Sequence, residues 1–167
     1  MRQRTAPGYI LCLPGSRRAF DNQERGTSME LKTKAEISNL DQVKEFVTGA
    51  LEECGFGTKQ IFQVELAVEE IFTNIANYAY NPECGDAWIR CQVEKGERDR
   101  FVITFIDEGI PYNPLEKADP DLTLDAEERE IGGLGIFLTK KLMDTMEYKY
   151  ESGRNVLIIT KQKEEET

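Results

Sequence analysis

The fold class that this sequence predicts is a mixed α/β (α+β) domain, and three observations predict it. Two consecutive stretches, 38–54 and 58–80, repeat apolar residues at helical spacing. Two β-patterned runs, 87–94 and 101–106, follow, separated only by a charged, glycine-containing connection. A third helical stretch, 133–146, leads into a closing hairpin of 147–151 and 155–161 around Ser152-Gly153. The chain has 167 residues, which suits one domain with a proper core.

Each element has a local reason. Residues 30–37 alternate loosely and read as an edge strand. Ser38 or Asn39 can cap the first helix, whose stripe is Leu40, Val43, Phe46, Val47, Ala50 and Leu51. Gly55 and Gly57 stop it. Thr58 can cap the second helix, which Asn81-Pro82 ends. Its dense apolar set, Ile61, Phe62, Leu66, Val68, Ile71, Phe72 and Ile75, predicts deep burial. In 87–94, Ile89, Cys91 and Val93 alternate with Trp88, Arg90 and Gln92. Run 101–106 is almost wholly apolar, as a central strand is. Residues 108–131 hold Pro111, Pro114, Pro120 and many acids, and read as a long loop of the functional or disordered kind.

The ends differ from the body. Residues 1–28 carry five Arg against one Asp and one Glu, +3 in all, so the rest carries −13 of the net −10. Their apolar run, 9–13, is too short to span a membrane and shorter than a signal-peptide core. They read as a tail, or as an upstream start ahead of Met29; a functional basic tail is the other reading. Residues 29–163 form the domain, and 164–167 an acidic tail.

Composition excludes several classes of function. A net charge of −10 argues against a broad nucleic-acid surface. It leaves room for a phosphorylated nucleotide held by backbone N–H groups and a metal ion, and weakly favours a basic partner. The cysteines, Cys12, Cys54, Cys84 and Cys91, form no C-x-x-C pair, and the chain has no histidine. This disfavours structural zinc and fits free thiols in a reducing cytoplasm. It also rules out Ser-His-Asp and Cys-His arrangements and phosphorylation of this chain on histidine.

Three short segments carry the chemistry. Glu70 and Asn74 lie four apart, on one face of the second helix, and Asn77 falls on the same face. An amide oxygen is a hard ligand for Mg²⁺, and a carboxylate one turn earlier can take a proton from an attacking hydroxyl. Without the surrounding apolar residues, the three would read as a polar stripe on a half-exposed helix. Glu69, about 100° away, reads as solvated or paired. Asp107 ends a buried strand before Glu108-Gly109. It can accept from an exocyclic amine such as adenine N6, with Gly109 admitting the base, or it can simply open a turn. Gly132, Gly133, Leu134 and Gly135 open the third helix. They can present N–H groups to phosphate or act as a hinge for the loop before them. Arg129 is the nearest cation for a γ-phosphate; Lys140 and Lys141 read as surface charges. In this order the segments hold the parts needed to bind Mg-ATP and activate a hydroxyl.

The segments resemble the N box and the two glycine boxes of the GHKL ATP-binding superfamily. The nearer resemblance is to bacterial anti-sigma-factor serine/threonine kinases. ELAVEEIFTNIANYAY at 65–80 is similar to their N box. DEGIPYNP at 107–114 follows their D-x-G-x-P-[FY]-[DN]-P form, and GGLGIFLTKKLMD at 132–144 is similar to their second glycine box. The resemblance covers about 29–163. It departs at Tyr78, where many relatives carry histidine, and at Asn155, near a threonine common on the last strand. Gly109-Ile110-Pro111 also lacks the second glycine of the histidine-kinase form.

The resemblance implies a two-layer sandwich: a mixed, mainly antiparallel sheet with the helices on one face. It implies ATP between the helices and the 108–131 loop, Mg²⁺ on Asn74, the adenine amine on Asp107 and the base on Gly109. Phosphates would meet Gly133 and Gly135, and Glu70 would be the general base. The implied partners are a STAS-type anti-sigma antagonist as substrate and a sigma factor, with a homodimer expected. A non-catalytic ATP-binding regulator is the alternative. The ATP-binding half of a two-component kinase lacks its phosphoacceptor here, and a gyrase-like ATPase needs a second domain that this length does not hold.

Overall fold

A computed structural model describes residues 9–10, 28–116 and 134–164. Its elements are β1 (Tyr9–Ile10), β2 (Ser28–Lys34), α1 (Leu40–Glu53), α2 (Thr58–Asn74), β3 (Asp86–Glu94), β4 (Arg100–Asp107), α3 (Leu134–Leu142), β5 (Thr145–Glu151) and β6 (Arg154–Gln162). Short 3₁₀ turns occupy Ile37–Asn39 and Pro114–Glu116, and a π-turn, Ile75–Ala79, extends α2.

The sheet runs β1-β2-β3-β4-β6-β5, and every described pairing is antiparallel. β4 is central, as its apolar sequence requires. Across the sheet Leu31, Ile89, Phe105 and Leu157 stand in one row, and Cys91, Ile103 and Ile159 in the next. Both rows belong to one core with Val43, Val47 and Leu51 of α1 and Val64, Val68, Ile71 and Phe72 of α2. The helices therefore cover one face, in two layers, with α2 packed against both α1 and α3. Phe72, Phe101 and Phe105 are fully enclosed. Each such burial is worth about 1.5–3 kcal/mol over exposure.

Several local expectations change. α1 ends as its glycine predicts: Gly55 has φ +70°, its N–H bonds Glu52 O, and Phe56 N–H bonds Leu51 O. Asn39 is the N-cap residue of α1 but makes no side-chain cap bond, because its amide bonds the Lys34 carbonyl, while Ser38 bonds Glu36. Gly57, not Thr58, is the N-cap of α2. Phe62 and Leu66 are 59% and 42% exposed. They sit two positions from the buried Gln60 and Val64, about 200° around the helix. Gln60 is buried because its amide ties Gln162 O and Glu164 N–H. α3 stops at Leu142 rather than continuing to Met146. The Leu142 carbonyl accepts from Lys161 Nζ, and 145–146 pair with 159–160 as strand. Finally, Tyr9–Ile10, inside the stretch read as a tail, pairs with Leu31 and Glu30, so β2 is flanked on both sides there.

Candidate functional site

The end of α2, the exit of β4, the start of α3 and the start of β6 converge. Between them lies a cavity of about 100 Å³. Ile71, Ile75, Phe105, Ile136 and Leu157 make it apolar, and Tyr78, Ile110, Tyr112 and Pro114 also line it. Its polar groups are few: Asn74, Asp107, Tyr148 and Asn155. An apolar slot with a few convergent polar atoms is the usual form of a small-molecule site.

Asn74 Nδ2 donates to Glu70 Oε1 at 3.0 Å, one helical turn apart. Asn74 lines the cavity, and its amide oxygen has no hydrogen-bond partner among the described residues. α3 crosses this point at its glycine: a Cβ on Gly135 would stand 2.0 Å from the Glu70 carboxyl carbon. Glycine at this position leaves the Glu70 carboxylate room to stand where it does, against the first turn of α3. Thr139 Oγ1 bonds Gly135 O at 2.9 Å and secures this first turn.

Beyond Asn74 the helix widens into the π-turn, a form frequent at functional sites. Its i→i+5 bonding slips the register by about one residue relative to an α-helix. A regular helix through Tyr80 would keep Asn77 with Glu70 and Asn74. Instead Asn77 is exposed and off the cavity wall, which Tyr78 lines in its place.

Asp107 is 5% exposed and ends β4 at the cavity. Its Oδ1 accepts from Gly109 N–H at 2.9 Å and Asn155 Nδ2 at 2.8 Å. Burial pushes its pKa above the ordinary carboxylate value of 3.8, against the pull of those two hydrogen bonds. Oδ2 has no hydrogen-bond partner among the described residues. Gly109 packs on the π-turn, where a Cβ would fall 2.2 Å from Ala79 O. Ile110 N–H bonds that carbonyl at 2.9 Å. Behind the loop, Tyr80 Oη donates to Asp86 O and accepts from Glu108 N–H, at 2.6 and 2.7 Å.

Of the residues that the sequence singled out, Glu70, Asn74, Asp107, Gly109, Leu134 and Gly135 surround this junction. Leu134 is 44% exposed at the start of α3. Gly132, Gly133 and Arg129 lie outside the described residues. Glu69 faces away and, with Glu65, pairs with Lys44. Among the described residues no cluster of His, Cys, Asp and Glu could hold a metal by itself. A magnesium ion here would need the Asn74 oxygen together with the oxygens of a bound phosphate chain, and that hard donor set fits.

Sequence reasoning noticed Asn155 only as a departure from a pattern. It lies buried at the middle of the polar network, with all four hydrogen-bonding positions filled. A signal was present: in the apolar strand 155–159, alternation puts this amide on the inner face with Leu157 and Ile159.

The profile of the histidine kinase-like ATPase domain matches residues 33–161. The chain belongs to that family. Among characterised relatives, it is 28% identical over 139 residues to the serine-protein kinase RsbW of Bacillus cereus (strain AH187), covering 81% of this chain and 85% of the relative. The same-named proteins of Bacillus cereus (strain B4264) and Bacillus thuringiensis (strain Al Hakam) are 29% and 27% identical, with the same coverage. The mixed α/β fold described above, with its antiparallel sheet, is consistent with the GHKL ATPase fold.

Proposed function

We propose that this chain is an ATP-dependent serine/threonine protein kinase that acts as an anti-sigma factor. The observation that carries this reading is the pairing of two features at one cavity. One is a carboxylate oxygen of Asp107, in an apolar slot, that has no partner among the described residues. The other is the hydrogen-bonded Glu70–Asn74 pair beside the first turn of α3. The first suits the exocyclic amine of adenine. The second suits the phosphate end. The similarity to serine-protein kinases supports the same assignment.

In this reading the base enters the apolar slot and donates from its amine to Asp107 Oδ2. The phosphates run toward α3, with Gly132, Gly133, Leu134 and Gly135 supplying N–H groups and Arg129 a cation. Asn74 would hold Mg²⁺, which neutralises phosphate charge when bound. Glu70 accepts the proton of a serine or threonine hydroxyl on the protein substrate. The hydroxyl oxygen bonds the γ-phosphorus, the bond to the β,γ-bridging oxygen breaks, and ADP leaves with that electron pair.

The substrate proposed is a STAS-type anti-sigma antagonist, and the second partner a sigma factor. We assign the catalytic domain to residues 29–163, expect a homodimer and place the protein in the cytoplasm. No helix among the described residues is long and apolar enough to cross a membrane. The described cysteines, Cys54, Cys84 and Cys91, are unpaired thiols.

Calorimetric titration with ADP and ATP, with and without Mg²⁺, tests the site. Binding that Mg²⁺ strengthens, and that Asn74→Ala loses, is expected. Folded protein that binds neither nucleotide would overturn the reading. Glu70→Gln then separates kinase from binder: it should abolish phosphotransfer to the antagonist and leave ADP binding in place. Phosphotransfer that survives this change would remove Glu70 as the base.

A further inference from the structure

The side chain of Asn155 makes four hydrogen bonds to four different residues. Nδ2 donates to Asp107 Oδ1 at 2.8 Å and to Ile110 O at 2.9 Å. Oδ1 accepts from Tyr148 Oη at 2.7 Å and from Tyr112 N–H at 3.1 Å. An amide has two donor hydrogens and two acceptor lone pairs, so nothing is left over. The arrangement also fixes which way the amide faces. Turned over, its NH₂ would meet the Tyr112 N–H while its oxygen met the Asp107 carboxylate and the Ile110 carbonyl.

The consequence lies on Asp107. Asn155 and Gly109 N–H both occupy Oδ1, so the carboxylate cannot rotate without losing two hydrogen bonds. Among the described residues Oδ2 remains as an acceptor with no donor of its own, on a residue that lines the apolar slot. An acceptor held there favours a ligand edge that donates and disfavours one that presents a carbonyl. The same amide holds Ile110 and Tyr112, two further residues of that wall.

We propose that Asn155 is a positioning residue for base selectivity: by saturating Asp107 Oδ1 and anchoring the Ile110–Tyr112 segment, it presents Oδ2 as the acceptor that selects a 6-amino purine over a 6-oxo purine. The proposal rests on the nucleotide reading given above, and it deepens that reading.

The test is the ratio of affinities for ADP and IDP, measured by calorimetry on the full chain. The two ligands differ at position 6 of the base, amine against carbonyl. Wild-type protein should prefer ADP. Asn155→Leu should lower the ADP-to-IDP preference roughly ten-fold or more, the range of one hydrogen bond to a charged group. A merely structural role would weaken both nucleotides together and leave the ratio unchanged, and that result overturns the proposal. Tyr148→Phe is the second variant. It removes only the hydroxyl that holds Asn155 Oδ1, so it should lower the ratio in the same direction by a smaller factor. If Asn155→Leu does not fold, a wild-type ratio in Tyr148→Phe overturns the proposal instead. Wild-type protein that binds neither ADP nor IDP overturns the nucleotide reading itself. Wild-type protein that binds both equally removes the selectivity and leaves the nucleotide site standing.

Discussion

At the scale of single residues, the site depends on close contacts at two glycines. A Cβ on Gly135 would meet the Glu70 carboxylate, the free end of a flexible side chain. Gly135→Ala should therefore be absorbed by moving Glu70, with little loss of stability. Phosphotransfer should fall about 100-fold or more, the usual worth of a general base, while ADP binding persists. A steady-state assay beside a melting curve checks both halves. Asp107 makes a pH prediction. Its folded pKa is raised above 3.8 by burial. The folded state therefore binds this proton more readily than the unfolded one. This group's contribution to stability therefore declines as pH rises from 3.8 through the raised value. Nucleotide binding runs the opposite way, because the ionised form is the acceptor. ADP affinity should weaken on acidification, at a pH above 3.8, and Asp107→Asn should remove that dependence. Titrations across the acid range decide it.

At the scale of elements, the decisive feature is how α2 ends. An α-helix carried through Tyr80 would have kept Asn77 beside Asn74. The π-turn instead puts Tyr78 on the cavity wall and offers Ala79 O to Ile110 N–H. Gly109 is packed against the same carbonyl, here backbone on backbone. Gly109→Ala must consequently push the β4 exit off the π-turn. It should cost about 1–3 kcal/mol, the usual price of overpacking, seen as a lowered denaturation midpoint. Phe62→Ser should stay within about 0.5 kcal/mol of wild type, because that ring is 59% exposed on the outer side of α2. The pattern of α2 was legible as helix. Its burial was not legible residue by residue, because apolar residues fall on both sides of it. The residues that decide its inward face include Gln60, whose partners lie about one hundred positions away, at Gln162 and Glu164.

At the scale of the whole molecule, chain segments far apart in sequence, from α2, β4, α3 and β6, meet at one cavity because β4 and β6 are neighbours in the sheet and α2 lies across them. A ligand that binds only the folded chain stabilises it by mass action. ADP at 100 times its dissociation constant should contribute about 2.7 kcal/mol, a rise in melting temperature of roughly 5–10 °C. Asn155→Leu should reduce the shift given by ADP more than that given by IDP. The amino-acid sequence by itself determined the order of the elements from β2 onward and the central place of β4, and it singled out the segments at the end of α2, the exit of β4 and the start of α3. Each of these rests on local periodicity or on residue types whose preferences act over a few positions. It also showed the glycine that ends α1 and the turn of the closing hairpin, where Ser152 and Gly153 both have positive φ. Only the tertiary structure decided the length of α3, since pairing with β6 claims Thr145 and Met146 as strand. It alone joined Asn155 to Asp107, 48 residues earlier, and to Tyr148 on the neighbouring strand. Such hydrogen bonds depend on strand register and on which side chains are shut away from water, and neither is a property of any short stretch of chain.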